Sequence, residues 1–463
     1  MTAFGAAQVN KVLQFRQIDL DQTPFQVFSK IGSQYDHAYI LESSVGPEKL
    51  AEFSFIGFNA SMTVSLSNKK LLVRDNRGSY EEEIKPSADI FGYLRNSLRK
   101  SSVENYLTRL VGGFVGYISY DAVRYWERLP RKKEDPQEFP DYEFALFNEG
   151  IVFDYINQKT YYYHSSSDNF AEIKEILNKK QSTEPFKATE PKSNVSKQKF
   201  EGMVEKAKEY IRAGDILQVV LARKYDFQIK GDLLHFYKSL AKINPSPYMY
   251  FLKMGKKKII GSSPEMLLRV TSRQIETYPI AGTRPRVANR KENERLTREL
   301  LADKKENAEH AMLVDLARND IGRVSVYGSV GVPELMRVEQ FSHVQHMVSR
   351  VVGVLRQGYD AFDAVKAVFP AGTVSGAPKV RAMEIIDELE VAPRGPYAGA
   401  VGYFSKNGSA DFAITIRTLV ADGTRTSIHT GAGIVADSQP EREWHETEQK
   451  AGALLSALKD ASD

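Results

Sequence analysis

Two glutamate pairs stand far apart in this chain of 463 residues, each with the spacing Glu-x-x-Glu: Glu306 with Glu309, and Glu443 with Glu446, the latter followed by Lys450. On a helix, residues three or four apart share a face, so each pair can present two carboxylates side by side, with Lys450 one turn beyond Glu446. Such spacing alone is also the ordinary pattern of a solvated helix surface. Brought together, four acids would make a site for a hard cation. Magnesium suits it, because it takes one or two carboxylates, keeps several waters and leaves room for an anionic substrate.

The elements that must carry these acids are two predicted helices, 292–318 and 438–458. Ser438 can cap the second, and Pro440 sits near its first turn, where a missing N–H is harmless. A further helix is expected over 196–213, ended by Gly214, with a buried strand over 216–222. Later strands are expected at 258–260, 267–270, 399–404, 413–419 and 426–429. Ahead of them, short aromatic and β-branched runs at 62–66, 114–118 and 160–163 read as strands of a mixed region. Between the halves, 179–198 is rich in Lys, Ser, Thr, Glu and Pro, as an exposed connection would be. The chain is therefore expected to divide into 1–180 and 195–463.

Composition narrows the function classes. Charged residues at 26% and hydrophobic residues at 42% are ordinary for a globular protein, and a net charge of +4 is too small to argue for nucleic acid or membrane. No stretch approaches a spanning helix and the first 17 residues lack a leader's apolar core, so a cytoplasmic location is expected. Cysteine is absent, which removes disulfides, thiolate metal sites and thiol nucleophiles.

The densest chemical text surrounds the first acid pair. Ser262-Ser263-Pro264-Glu265 precedes Pro279-Ile280-Ala281-Gly282-Thr283-Arg284. The run from Glu309 to Asp320 follows, then the run from Phe369 to Lys379, and finally Thr430-Gly431-Ala432-Gly433-Ile434. In this order the set resembles the chorismate-utilising enzymes, over essentially everything after 195. The resemblance implies an α+β fold of antiparallel sheets packed face to face with flanking helices.

Two positions select among the relatives. Members that add water to the ring carry a lysine base where this chain appears, by resemblance, to place Gln218; an amide cannot take a proton from water, whereas ammonia needs no such base. Aminodeoxychorismate-forming members have a lysine where this chain has Ala281. The resemblance is therefore to the members that convert chorismate and ammonia to anthranilate and pyruvate. The alternatives are the aminodeoxychorismate-forming class and a tryptophan-binding subunit without catalysis.

That resemblance implies roles residue by residue. Glu309 and Glu446 would hold magnesium against the ring carboxylate, with Glu306 and Glu443 orienting its waters and Lys450 neutralising remaining charge. Glu265 would protonate the departing hydroxyl. At an ordinary pKa near 4.3, roughly one such group in five hundred is protonated at pH 7, so burial or neighbouring acids must raise it. His346 would assist loss of the ring proton, with His343 as the competing candidate. Tyr403 and Arg417 would hold the enolpyruvyl carboxylate, helped by backbone N–H groups of Gly431, Ala432 and Gly433. Gly282, Thr283 and Thr373 resemble positions near the ring.

The amino-terminal half carries a second message. Ile40-Leu41-Glu42-Ser43-Ser44 resembles the element that binds tryptophan in feedback-inhibited members, and Asn244-Pro245-Ser246-Pro247-Tyr248-Met249 resembles the facing wall. Leu41, Glu42, Ser43, Pro245, Ser246, Pro247, Tyr248 and Met249 are thus the expected lining of a regulatory pocket. The family's glutaminase uses a cysteine, which this chain lacks, so ammonia is expected from a separate glutamine amidotransferase subunit, in a heterotetramer of two of each chain.

Overall fold

The computed structural model describes residues 13–43, 52–85, 89–98, 108–129, 139–165, 167–180, 183–340 and 344–462. They form two large antiparallel sheets of 13 and 12 strands, with helices on the outer faces. Between the sheets lies a layer in which Tyr39, Phe55, Tyr250 and Val420 of one sheet meet Val115, Phe147, Val401 and Tyr403 of the other. Helices Pro24–Gln34, Leu234–Ile243 and Pro440–Ser462 cover the outside of the first sheet. Helices Gly92–Leu98, Lys304–Gly322 and Ala361–Val368 cover the second. The expected α+β architecture of face-to-face sheets is the one observed. Among the described residues, no helix is long and apolar enough to cross a membrane.

Each sheet takes strands from both sides of the polar connection. In the first, His37–Glu42 pairs with Tyr248–Met254; in the second, Gly113–Ile118 pairs with Ala400–Ser405. The connection itself is fastened down. Phe186 and Val195 are buried, and Lys187–Ala188 and Lys192–Ser193 pair with the long strand Gln218–Lys230. Two apolar side chains and two short ladders are enough to dock a stretch whose composition reads as solvated.

Two breaks matter for the site. The helix expected over 292–318 is two helices, Arg290–Ala302 and Lys304–Gly322. Asp303 ends the first and caps the second, accepting from the N–H groups of Lys305 and Glu306. The second helix therefore starts on its own axis and carries Glu306 and Glu309 in its first turns. The strand expected over 413–419 likewise divides into Ala410–Ile414 in one sheet and Thr418–Asp422 in the other. Arg417 makes the crossing at φ 52°, a left-handed conformation rare outside glycine. At the other acid pair, Pro440 is the first residue of its helix, and the Ser438 hydroxyl accepts from the N–H of Val435 at 3.0 Å.

Candidate active site

Helices Lys304–Gly322 and Pro440–Ser462 bring the two acid pairs together beside the strands Gln218–Lys230 and Arg425–Ile434. Gln218 Nε2 donates to Glu309 Oε1 at 3.2 Å. Lys450 Nζ lies 2.6 Å from Glu446 Oε1 and donates to the Gly431 carbonyl at 3.0 Å. Burial lifts the Glu309 carboxyl above its usual range, and the nearby charges of Glu306 and Glu446 add to the effect. Glu443 is raised for the same two reasons, burial first and then Glu446. Its Oε2 is buried without a hydrogen-bond partner. Arg284, 3.5 Å from Glu306, shares its charge with Asp303 and Glu299. The cluster thus holds more negative charge than its cations balance. Among the described residues, no three His, Asp or Glu side chains form a ready-made metal cage.

Glycine is required where the backbone meets these acids. Gly282 sits at φ 64°, and a Cβ there would lie 2.8 Å from Leu300 and 3.2 Å from Glu306. A Cβ on Gly433 would stand 2.7 Å from Gln218 Nε2, so a side chain there would displace the amide.

Glu265 occupies the corner between strand Lys257–Ser263 of the first sheet and strand Met266–Thr271 of the second. Burial pushes its carboxyl up to about 8, while Thr373 and the charge of Lys450 pull the other way. Of the two expected causes, burial alone acts; the four glutamates are not the source. His346 Nδ1 lies 2.9 Å from the Gly282 carbonyl and 3.1 Å from Thr283 Oγ1. A carbonyl only accepts, so this geometry assigns the ring proton to Nδ1 and makes Nε2 the unprotonated ring nitrogen. Burial lowers the His346 pKa, with Arg417 and Lys450 acting in the same direction, so the ring is neutral at pH 7. His343, the competing candidate, lies outside the described residues. Next to Glu309, the buried His310 is pushed down to about 4 and meets Ser349 Oγ at 2.6 Å, fastening this helix to strand Val344–Val354.

Tyr403 is not among these groups. Along strand Ala400–Ser405 the side chains alternate, so Val401 and Tyr403 enter the layer between the sheets, while Ala400 and Phe404 face the helices. The tyrosine beside Arg417 is Tyr397, just ahead of the strand. Arg417 influences its ionisation, its ring stacks on His429 at 5.2 Å, and a Cβ on Gly431 would lie 2.6 Å from its hydroxyl. Tyr397 sits in the same Gly- and Pro-rich stretch but in the turn ahead of the strand, outside its alternation. Ala432 also needs correcting. Lys450 takes the Gly431 carbonyl, and a strand residue's N–H and C=O point the same way. Gly431 and Gly433 therefore aim their N–H groups at the site, whereas Ala432 turns toward its ladder partner Leu221.

A second cavity lies at the seam of the first sheet and reaches between the layers. Leu41, Glu42, Ser43, Pro247, Tyr248 and Met249 line it, joined by Phe55, Arg269, Tyr403 and Asp411. Ser43 Oγ donates to the Pro247 carbonyl, closing one wall onto the other. Tyr237 donates to Glu42 at 2.9 Å, and burial raises that carboxyl. Pro245 and Ser246 are not part of the lining; Ser246 Oγ accepts from Ser262 Oγ at 3.0 Å and supports the wall from behind. Ser44 lies outside the described residues.

A family model described as chorismate binding enzyme matches residues 36–456. Anthranilate synthase component 1 of Methanothermobacter thermautotrophicus is 47% identical over 463 residues, covering 100% of this chain and 97% of its own. The protein of the same name from Saccharolobus solfataricus is 45% identical, with 94% and 97% covered. Among solved structures, anthranilate synthase component I from Streptococcus pneumoniae matches with a TM-score of 0.77 at 37% identity, over 87% of this chain and 92% of that one. The menaquinone-specific isochorismate synthase from Escherichia coli shares the fold, with a TM-score of 0.70 at 19% identity over 98% and 96%.

Proposed function

The chain belongs to the chorismate-binding enzyme family, and on that premise we propose that it is the large component of an anthranilate synthase, converting chorismate and ammonia to anthranilate and pyruvate in tryptophan biosynthesis. The observation that carries the choice of reaction is Gln218. It is buried, it is bound to Glu309, and it stands against the glycines that face the ring site. An amide there can orient a neutral nucleophile but cannot activate water.

The remaining groups supply the chemistry in order. Arg417, which feels the charge of Glu446 but forms no ion pair within 4 Å among the described residues, offers its fork to the enolpyruvyl carboxylate, with the Tyr397 hydroxyl and the N–H groups of Gly431 and Gly433 beside it. With its carboxyl near 8, Glu265 is about ten parts protonated to one at pH 7. It gives that proton to the ring hydroxyl, which leaves as water while ammonia forms the new C–N bond. His346 Nε2, unprotonated and facing away from Gly282, then takes the ring proton as the C–O bond to pyruvate breaks.

Magnesium is part of the proposal. Glu309 and Glu446 would hold it, with Glu306 and Glu443 turned toward its waters. The unpartnered Glu443 Oε2 and the raised carboxyls of Glu309 and Glu443 support a cation there. When bound, it would neutralise the ring carboxylate of chorismate. The name component 1 carried by the relatives implies a second component. We propose that this partner is a glutamine amidotransferase supplying ammonia, and that tryptophan occupies the second cavity as feedback inhibitor.

The test is fluorescence-detected anthranilate formation from chorismate, magnesium and ammonium, with and without tryptophan. Anthranilate that disappears with tryptophan is the expected result. Chorismate consumed without anthranilate would move the assignment to another member of the family, and activity indifferent to tryptophan would remove the regulatory reading.

A further inference from the structure

Arg394 and Glu390 form a deeply buried ion pair near the site, 2% and 5% exposed. Arg394 Nε donates to Glu390 Oε2 at 3.0 Å and Nη2 to Oε1 at 2.6 Å. The donors left over go to the backbone: Nη1 to the Val374 carbonyl at 2.6 Å and Nη2 to the Val220 carbonyl at 2.7 Å. Glu390 Oε1 in turn accepts from the N–H of Ala222 at 2.8 Å.

These backbone groups have one thing in common. Strand Gln218–Lys230 is paired by Gly376–Ala377 at Gln218 and Val219, and the Val220 N–H still reaches the Ser375 carbonyl at 2.9 Å. The Val220 carbonyl and the Ala222 N–H are left on an open, buried edge, where unmade hydrogen bonds would cost about 1–3 kcal/mol each. The ion pair takes the place of the missing strand. The same guanidinium grips Val374, the residue after Thr373, and lies over the rings of Tyr120 at 4.6 Å and Tyr397 at 5.7 Å.

We propose that the Arg394–Glu390 pair is a positioning device for the reaction, a rigid fork that sets Gln218, the Thr373 turn and Tyr397 at fixed distances from one another. The inference rests on the anthranilate synthase reading and assigns the pair no contact with substrate. Planarity is the property that matters: four bonds leave one flat group in set directions, which a lysine ammonium cannot reproduce.

Arg394→Lys keeps the charge and loses the fork. The expected result is a fall in kcat of about 100-fold, the size of effect that a shift of about 1 Å in catalytic groups produces, with KM for chorismate changed by less than about threefold. Loosening the Thr373 turn admits water to Glu265, so the alkaline limb of kcat, near pH 8 in the wild type, moves to lower pH. Glu390→Gln, which preserves shape and an acceptor for Ala222, moves both readouts the same way by less. If both variants fold and keep kcat within about twofold, or if the loss follows a lowered Tm while the pH limb stays put, the pair is structural only and the proposal falls; should Arg394→Lys not fold, Glu390→Gln decides. A wild-type chain that makes no anthranilate defeats the functional reading instead. The positioning claim is then judged by carbon NMR titration of the Glu265 carboxyl in wild type and Glu390→Gln, where an unmoved titration overturns it.

Discussion

The two cavities are built from the same kinds of side chain and treat charge in opposite ways. In the second cavity the buried charges at its inner wall are matched within the protein, while Glu42 is held by the Tyr237 hydroxyl. Arg269 bonds Asp411 at 2.8 Å and lies 3.6 Å from Glu276, and Asp411 also accepts from Tyr248 at 3.0 Å. In the candidate active site the charges are left mismatched: carboxyls crowd one another on one side, and Arg417 on the other feels Glu446 without forming an ion pair among the described residues. On the proposed reading, in which the site takes a dianion and a metal, that imbalance is what they would cancel. A pocket already neutral selects by shape and hydrogen bonding, which suits an apolar ring with an amino-acid head.

Removing the proton from the active site should break this contrast most sharply. Glu265→Gln is expected to lower kcat by about 10³-fold, within the range for a lost general acid, with tryptophan affinity unchanged by calorimetry. The same change should stabilise the protein. A carboxyl raised to about 8 in the folded state binds its proton more tightly than in the unfolded chain, so it costs nothing below the unfolded pKa, costs increasingly as pH rises above it, and costs its maximum beyond 8. Glu265→Gln should therefore raise Tm at pH 7 to 8 and leave it unchanged at pH 4. Wild-type kcat should fall as pH rises through about 8; a profile flat to pH 9 would mean that another group donates the proton.

The next largest effect probes the excess negative charge. Glu443→Gln removes one crowded carboxyl without touching the groups that meet chorismate. It should raise the magnesium concentration for half-maximal activity by about 10- to 100-fold, as is usual for groups that orient a metal's ligands. An unchanged magnesium dependence would take Glu443 out of the cation's surroundings. In the neutral cavity the corresponding change is milder. Ser43→Ala removes the bond to the Pro247 carbonyl. It should raise the tryptophan concentration for half inhibition by up to about tenfold, equivalent to about 0.5–1.5 kcal/mol, with chorismate kinetics untouched.

How much of this contrast was legible beforehand depended on range along the chain. Paired acids at helical spacing, and the sheet-and-helix alternation, are local patterns and could be read directly. Asp303 could have been read as well: it stands three residues before Glu306, a capping arrangement, but an unbroken polar pattern around it hid the helix boundary. Parity within Ala400–Ser405 would have sent Tyr403 to the layer between the sheets. Other features have no local signature. Arg417 turns the chain at a positive φ where the residue type predicts the opposite, and the pairing of His37–Glu42 with Tyr248–Met254 joins residues some two hundred positions apart. Arg394 and Glu390 look like any i,i+4 pair on a helix end, because only the fold shows which carbonyls they reach.

The smallest expected effect asks whether the two cavities communicate. Arg269, in the wall of the second cavity, meets Glu276, and Glu276 accepts from Arg350 Nε at 2.9 Å. Arg350 lies on strand Val344–Val354, four residues from His346, and that strand pairs with Gln274–Thr277 at Glu276. A ligand that shifts Arg269 thus pulls, through one carboxylate, on the strand that holds the His346 imidazole, the proposed base. Contiguity alone does not establish coupling, and the total for such effects is about 1–3 kcal/mol. Glu276→Gln touches neither cavity's ligand. It should leave tryptophan binding and uninhibited kcat within about twofold, and weaken maximal inhibition by about two- to threefold, at the low end of what positions between sites contribute. If inhibition stays complete while binding is retained, the signal passes through the paired backbones of the strands instead, and the matched charges around Arg269 serve only to shape the pocket.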